Sequence, residues 1–214
     1  MFGISADFRQ HEQEKSSNHQ QPITSNQSPN SYLCSMDTRK LNINELGRLS
    51  TEEFRSVEKF PLIVILDDIR SQNNTGSVFR TCDAFRAETI LLCGITATPP
   101  HREIHKTALG AEDSVNWQYF ESAEQAILEV KKAGYLVLAL EHTTSSLPIQ
   151  EFDLKQKSKI ALVFGNEVQG VSDKALALAD ACIEIPQFGT KHSINVSVAV
   201  GIALWEMLRK VKKI

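Results

Sequence analysis

Three short turns in this chain gather side chains that could hold a ligand and act on it. SQNNTGSVFRT, at 71–81, carries a row of amides and then Arg80; FGNEVQG, at 164–170, sets Asn166 and Glu167 between two glycines; TKHSIN, at 190–195, brings Lys191, His192, Ser193 and Asn195 against a long apolar stretch. The guanidinium of Arg80 presents a planar fork of donors that matches a phosphate and can stabilise a developing oxyanion. With a pKa above about 12 it stays protonated, which suits it poorly to the role of base. The carboxylate of Glu167 can orient that arginine or a substrate hydroxyl, or simply face water in a tight turn. Gly165 ends an apolar run, so its backbone can approach a flat ring with no side chain in the way. Gly170 reads as a turn residue, and Gly76 as a point where the backbone passes close to another segment.

The common nucleotide, hydrolase and metal signatures are absent from the sequence. There is no G-x-x-x-x-G-K-[ST] loop, no G-x-G-x-x-G opening the first helix, no G-x-S-x-G elbow, no H-E-x-x-H and no cluster of Cys and His. These absences disfavour a P-loop nucleotidase, an ordinary dinucleotide enzyme, a hydrolase of that type and a metal centre. Four cysteines, at 34, 82, 93 and 182, form no C-x-x-C pair and lie mostly in apolar segments, as reduced structural thiols in a cytosolic protein do. No apolar run reaches the roughly 18 residues of a spanning helix, and the N-terminus lacks a secretory pattern, so the expected location is the cytoplasm. A formal net charge of -3 argues against coating nucleic acid by bulk electrostatics and leaves local basic patches to make any contact.

The elements that must position the three turns follow from the apolar pattern. Residues 1–35 are too polar to offset the entropy of ordering them and read as a disordered tail, with Met36 a possible start; 36–60 read as a short helical segment, and 61–214 as the main domain. PLIVILDDI (61–69) is a continuous, β-branched run, the mark of a strand covered on both faces. Further strands are expected at 88–94, within SVNWQYF, and at 135–141, 159–165 and 181–186. Helices are expected at about 75–86, over IHKTALGA, over SAEQAILEVKKAG up to Gly134, from a Ser172 cap to 179, and at 194–211. This alternation predicts an α/β domain with a mostly parallel six-stranded sheet and helices on both faces. All three polar turns then fall at the carboxyl ends of strands, where ligands bind in such sheets.

Taken together, Asn74-x-Gly76-x-x-x-Arg80-Thr81, Gly165-Asn166-Glu167-x-x-Gly170, and Pro186 with Ser193-Ile194-Asn195-Val196-Ser197 resemble, in order and spacing, the three motifs of the SpoU, or TrmH-type, branch of the SPOUT RNA methyltransferases. The resemblance covers about 40–212; the family more often has leucine where Ile194 stands. It implies an S-adenosylmethionine-dependent methyltransferase acting on a ribose 2′-hydroxyl of structured RNA, tRNA before rRNA, with a C-terminal trefoil knot and a homodimer whose site lies near the interface. No metal, no DNA and no membrane partner is expected. The alternatives are a non-catalytic RNA-binding protein of the same fold and a small-molecule enzyme with an atypical nucleotide site.

On this resemblance the catalytic set is Arg80, Asn74, Glu167, Ser193 and Asn195, with Arg80 at the ribose hydroxyl either as base or, as its charge favours, as electrostatic stabiliser. Leu140, Glu141, Gly165, Ile185, Ser193 and Ile194 would form the cofactor pocket. Asn74 is expected to cap the first helix, to organise the site, or both, with Arg80 in that helix's second turn. Ser193 is expected to cap the last helix, whose apolar residues run nearly all round (Val196, Val198, Val200, Ile202, Leu204, Met207) and so predict full burial. The pattern gives His192 no role, and it and His142 read as exposed loop histidines. Two basic groups, HREIHK (101–106) and RKVKK (209–213), could grip phosphate or be solvated helix ends; Arg102 and Lys106 are the RNA contacts expected beside Arg80.

Overall fold

The computed structural model describes residues 39–155, 158–191 and 193–212. The expected tail at 1–35, Met36, Cys34, His192 and Lys213 lie outside the described residues. Backbone contacts group the chain into units 1–47 and 48–214. In the first, a 3-10 turn at Ile43–Leu46 is held by an Asn42–Glu45 capping box and ends at left-handed Gly47.

The second unit begins with a short helix α1 (Thr51–Ser56), whose Ser50–Glu53 capping box sets its start and whose Phe54 is buried. Strands and helices then alternate: β1 (Phe60–Asp67), α2 (Gln72–Ala84), β2 (Ala87–Cys93), α3 (Arg102–Ala108), α4 (Ala111–Ser114), β3 (Trp117–Phe120), α5 (Ala123–Lys132), β4 (Leu136–Leu140), β5 (Leu147–Pro148), β6 (Ile160–Phe164), α6 (Asp173–Leu178), β7 (Ala181–Glu184) and α7 (Val196–Lys212). The described strands form one sheet in the order β3-β2-β1-β6-β4-β7-β5, and every pairing is parallel. The six expected strands are all present. The seventh, β5, is two residues long beside β7, too short to leave any periodicity.

The continuous apolar run of β1 is explained by its alternation between two cores. Leu62, Val64 and Leu66 point into one, with Val78, Phe79 and Cys82 of α2 and Val200, Leu204 and Met207 of α7. Ile63 and Ile65 point into the other, with Ala126, Ile127 and Val130 of α5 and Ala175 of α6. Helices therefore cover both faces, as a parallel sheet requires. At about 25 cal/mol per Å² of buried apolar surface, these two layers supply the main stabilisation. They hold the carboxyl ends of β1, β4, β6 and β7 side by side as a fixed rim.

Two helix expectations need correction. The last helix starts at Val196, and it is not buried all round: Val198, Ile202 and Trp205 are 52%, 39% and 52% exposed. A helix lying against one face of a sheet buries one stripe, here Ala199, Val200, Ala203, Leu204, Met207 and Leu208, and leaves its far side largely open, with Trp205 tilted against Phe85 at a centroid distance of 6.2 Å. The first helix starts at Gln72, three residues earlier than expected, because Ser71 supplies the capping oxygen to the amide of Asn74 at 3.2 Å. No described helix is long and apolar enough to cross a membrane.

Candidate active site

At the carboxyl ends of β4, β6 and β7 lies a cavity of about 520 Å³, within the usual range for small-molecule sites. Leu140 at the end of β4, Glu141, Gly165 and Ile185 directly after β4, β6 and β7, and Ser193 and Ile194 from the last turn all line it. These are the six positions expected to hold a cofactor. Glu141, Glu167 and Glu184 are also on the wall, and none of the described lining residues is a lysine or arginine. Such a wall favours a flat, uncharged or cationic ligand over a polyphosphate.

Hydrogen bonds tie the three turns together. The Glu167 carboxylate accepts from the backbone N–H groups of Arg70 and Ser71 at 3.1 and 3.2 Å and from Asn74 Nδ2 at 3.0 Å. Asn195 Nδ2 then donates to Asn74 Oδ1 at 3.1 Å. One chain of contacts thus joins residues 71–74, 167 and 195. Asn166 braces the middle turn: its Nδ2 donates to the Asp68 carbonyl at 2.7 Å, while its Oδ1 accepts from Val168 and Gln169 amides. Partial burial works to raise the Glu167 carboxyl, but the amides donating to it outweigh burial and hold its pKa below the ordinary carboxylate value. The group is an anion whose lone pairs are committed to organising the first turn.

Several sequence assignments shift in detail. Asn74 is not the cap of α2; Ser71 is, which frees the half-buried Asn74 side chain to link Glu167 and Asn195. Ser193 is not the cap of α7 either. Asn195 is, its Oδ1 accepting from Ser197 N at 2.8 Å while its carbonyl accepts the Val198 and Ala199 amides. Ser193 stands exposed on the pocket wall instead. Gly165 is required for a different reason from the expected one: a Cβ there would collide with the backbone of Gly170 and Val171. Gly170 is a turn residue with φ +71, and a Cβ on it would strike the Glu141 carboxylate. That carboxylate accepts from Val171 N at 2.9 Å and His142 N at 2.9 Å, so Glu141 buttresses the middle turn from beneath. Gly76 does pass close to another segment, since a Cβ would overlap Thr107 Oγ1 and the Ile104 carbonyl of α3.

Arg80 lies in the third turn of α2 rather than the second, about 9 Å along the helix from Asn74, and it does not line the cavity. It is exposed, and among the described residues its guanidinium has no hydrogen-bond or ion-pair partner. The recorded partners of Glu167 are the 70–74 turn, not Arg80. Arg102 and Lys106 are exposed on α3, which is docked to the start of α2 through Thr107 Oγ1 donating to the Asn73 carbonyl at 2.9 Å. They lie outside the cavity, and Lys106 is loosely paired with Glu103 at 3.8 Å. The C-terminal basic group is tied down: Arg209 and Lys210 pair with Glu206, and Lys212 sits over the Phe60 ring. It reads as a helix terminus.

A network that sequence reasoning missed closes one wall. Glu184 accepts from Ser146 Oγ at 2.5 Å and faces His142 Nδ1 at 3.3 Å, while His142 Nε2 meets Gln187 Nε2 at 3.0 Å. His142 is exposed as expected but engaged through both ring nitrogens. Only the pairing of β4 with β7 brings 142, 184 and 187 together, so no local spacing could have revealed it.

A parallel sheet with helices on both faces, and a cavity with no lysine or arginine among its described lining residues, closed by three interlocked turns at its carboxyl edge, defines a ligand-binding α/β domain of the kind that carries small cofactors. The comparisons with known proteins narrow that class. The family model described as SpoU rRNA Methylase family matches residues 61–205. The chain is 34% identical over 152 residues to the tRNA (guanosine(18)-2′-O)-methyltransferase of Aquifex aeolicus, covering 70% of this chain and 69% of that one. It is 31% identical over 166 residues to the enzyme of the same name from Thermus thermophilus, covering 78% and 84%. Among solved structures it resembles the A. aeolicus TrmH/SpoU tRNA modifying enzyme, with TM-score 0.67, 30% identity, and 76% and 83% of the two chains covered. It also resembles an AdoMet-bound rRNA methyltransferase from Sinorhizobium meliloti, with TM-score 0.65, 28% identity, and 73% and 59% covered. The chain belongs to the SpoU rRNA Methylase family.

Proposed function

We infer that this protein is a methyltransferase that uses S-adenosylmethionine to methylate a ribose 2′-hydroxyl of structured RNA, tRNA in the first instance. One observation carries the reading: the three motif turns close, through Glu167, Asn74 and Asn195, on a cavity with three carboxylates and no lysine or arginine among its described lining residues. S-adenosylmethionine is a cation with a flat adenine, and its sulfonium supplies an activated methyl group. Leu140 and Ile185 offer apolar walls to the adenine, and Ser193, Ile194 and the Gly165 turn offer polar backbone beside them. The similarity to a tRNA (guanosine(18)-2′-O)-methyltransferase and to an AdoMet-bound rRNA methyltransferase supports both substrate and cofactor.

On the RNA side, Arg80 supplies the charge. Protonated throughout, it would grip the phosphate beside the target ribose and stabilise the oxyanion as the hydroxyl oxygen bonds to the methyl carbon, the C–S bond breaks to leave a neutral thioether, and the hydroxyl proton passes to water. Glu167, Asn74 and Asn195 hold the entry turn in register, and Arg102 and Lys106 extend the phosphate track along α3. Because Arg80 lies off the cavity in its own subunit, we place the working site at a homodimer contact. The exposed apolar stripe of Val198, Ile202 and Trp205 on α7, which packs beside α2, is the face a second copy would cover. The convergence of residues 140–142, 164–170 and 193–196 on one cavity fits a C-terminal trefoil knot. Free cysteines at 82 and 93, both buried, fit a reducing cytoplasm.

The test is Arg80→Ala. Methyl transfer to a tRNA transcript should fall by roughly 10²–10³-fold, the cost of removing one preorganised charged donor, while calorimetric S-adenosylmethionine affinity stays unchanged. Full turnover in the variant, or no cofactor binding by the unsubstituted protein, would overturn the assignment.

A further inference from the structure

The loop between β7 and α7 carries the chain's most exposed large hydrophobic group among the described residues. Phe188 is 98% exposed, although residues on both sides of it serve the site: Gln187 lines the cavity and is held by His142, and Ser193 and Ile194 re-enter the wall a few residues on. Two more apolar side chains are exposed near the site. Val168, from the turn after β6, is 76% exposed, and Ile194 is 36% exposed. Both line the cavity rim. A little further along, Lys191 is exposed, and among the described residues its ammonium has no ion-pair or hydrogen-bond partner. Gly189, between the ring and the lysine, has open space where a Cβ would stand.

An aromatic ring held in water directly after a residue that lines the cavity, with a cation three residues on that has no partner among the described residues, is the arrangement that binds a nucleobase and its phosphate together. Backbone phosphates alone cannot account for the ring. A base has a π-face for Phe188 and apolar edges for Val168 and Ile194. Gln187 is anchored, so the loop presents the ring from a fixed root rather than a free coil. We propose that Phe188 stacks on a base of the RNA at or next to the methylated nucleotide, while Lys191 holds the adjoining phosphate, so that this loop sets the substrate base against the cofactor. The proposal rests on the RNA methyltransferase reading above.

The experiment uses the full chain and an unmodified tRNA transcript. Phe188→Ala should lower kcat/KM for the RNA by roughly 10- to 100-fold, as expected for one lost base–aromatic stack, with S-adenosylmethionine affinity and sedimentation mass unchanged. Phe188→Tyr should restore most of it. Lys191→Ala should weaken RNA binding and flatten the dependence of log K on log salt by about one ion. A direct readout needs no turnover: in Phe188→Trp, RNA should quench the new indole fluorescence relative to the unsubstituted protein. Unchanged kcat/KM in Phe188→Ala, absence of that quench, or a loss of cofactor affinity or dimer mass matching the loss of RNA activity would overturn the stacking role. If the unsubstituted protein transfers no methyl group to tRNA or rRNA, the activity itself falls, whatever the quench shows.

Discussion

Replacing Glu167 by glutamine tests the link that joins the three turns. In the native protein one carboxylate oxygen accepts from Ser71 N and Asn74 Nδ2, at 3.2 and 3.0 Å, and the other from Arg70 N at 3.1 Å. In its better orientation the glutamine carbonyl keeps the first pair and turns its own NH₂ toward the Arg70 N–H, donor against donor. One charge-assisted bond is lost, at about 1.5 kcal/mol, and two others become neutral, at about 0.5 kcal/mol each. Because Glu167 is solvent-exposed, water recovers part of this, and a net loss of about 1–2 kcal/mol remains. For a chain of this size, that lowers Tm by roughly 2–8 °C. The pH dependence is diagnostic. The carboxyl's pKa is depressed in the folded state, so its contribution is fully present above the unfolded value near 4.3 and fades as pH falls through the folded value. Thermal melts of the two proteins should differ at pH 7 and converge only as the pH drops below about 4.3. A Tm gap that persists unchanged into acid, or no gap at neutrality, would refute the claim that this carboxylate holds the entry turn as an anion.

Gly76→Ala gains up to about 1 kcal/mol in helix preference but drives a methyl group into Thr107 Oγ1 and the Ile104 carbonyl, with Ala108 N only 3.1 Å away. Overpacking against backbone costs about 1–3 kcal/mol or more; the clash wins, and calorimetry should show Tm lowered by several degrees. Trp205→Glu, on the exposed stripe of α7, should shift the protein toward monomer in sedimentation and reduce methyl transfer while leaving the fold intact by circular dichroism. Burial, with a smaller push from Asp67, drives the Cys93 thiol up to about 12, and burial raises Cys82 as well. Iodoacetamide at about pH 8 should therefore leave both unlabelled in the native state and modify the half-buried Cys182 ahead of them, as read by peptide mass spectrometry.

Where the chain alternates between β-branched runs and amphipathic segments, the fold was legible because each signal is local. PLIVILDDI announces a two-faced strand by composition, and SAEQAILEVKKAG announces its cap, its stripe and its Gly134 stop, realised as α5 capped by Ser122 with Gly134 at φ +84. That the six positions carried over from the family resemblance would line one cavity was legible as well, since turns following parallel strands emerge at one edge. The cap assignments failed because Ser71, Asn74, Ser193 and Asn195 are all competent caps, and only the backbone path chooses among them. The full burial expected of α7 failed because an apolar sequence states what a helix prefers to touch, not whether a neighbour is present.

What the amino-acid order settled by itself was therefore the class of sheet, the edge at which ligands gather and the residues that crowd there. What tertiary structure alone decided was how they work together: that Glu167 serves the 70–74 turn instead of Arg80, that Gly165 is demanded by the Gly170–Val171 backbone, and that His142, Glu184 and Gln187 form one wall. Those outcomes depend on pairing between strands and turns dozens of residues apart. Hydrogen bonds reach about 3 Å, and no spacing within a single segment encodes which distant partner will arrive within that distance.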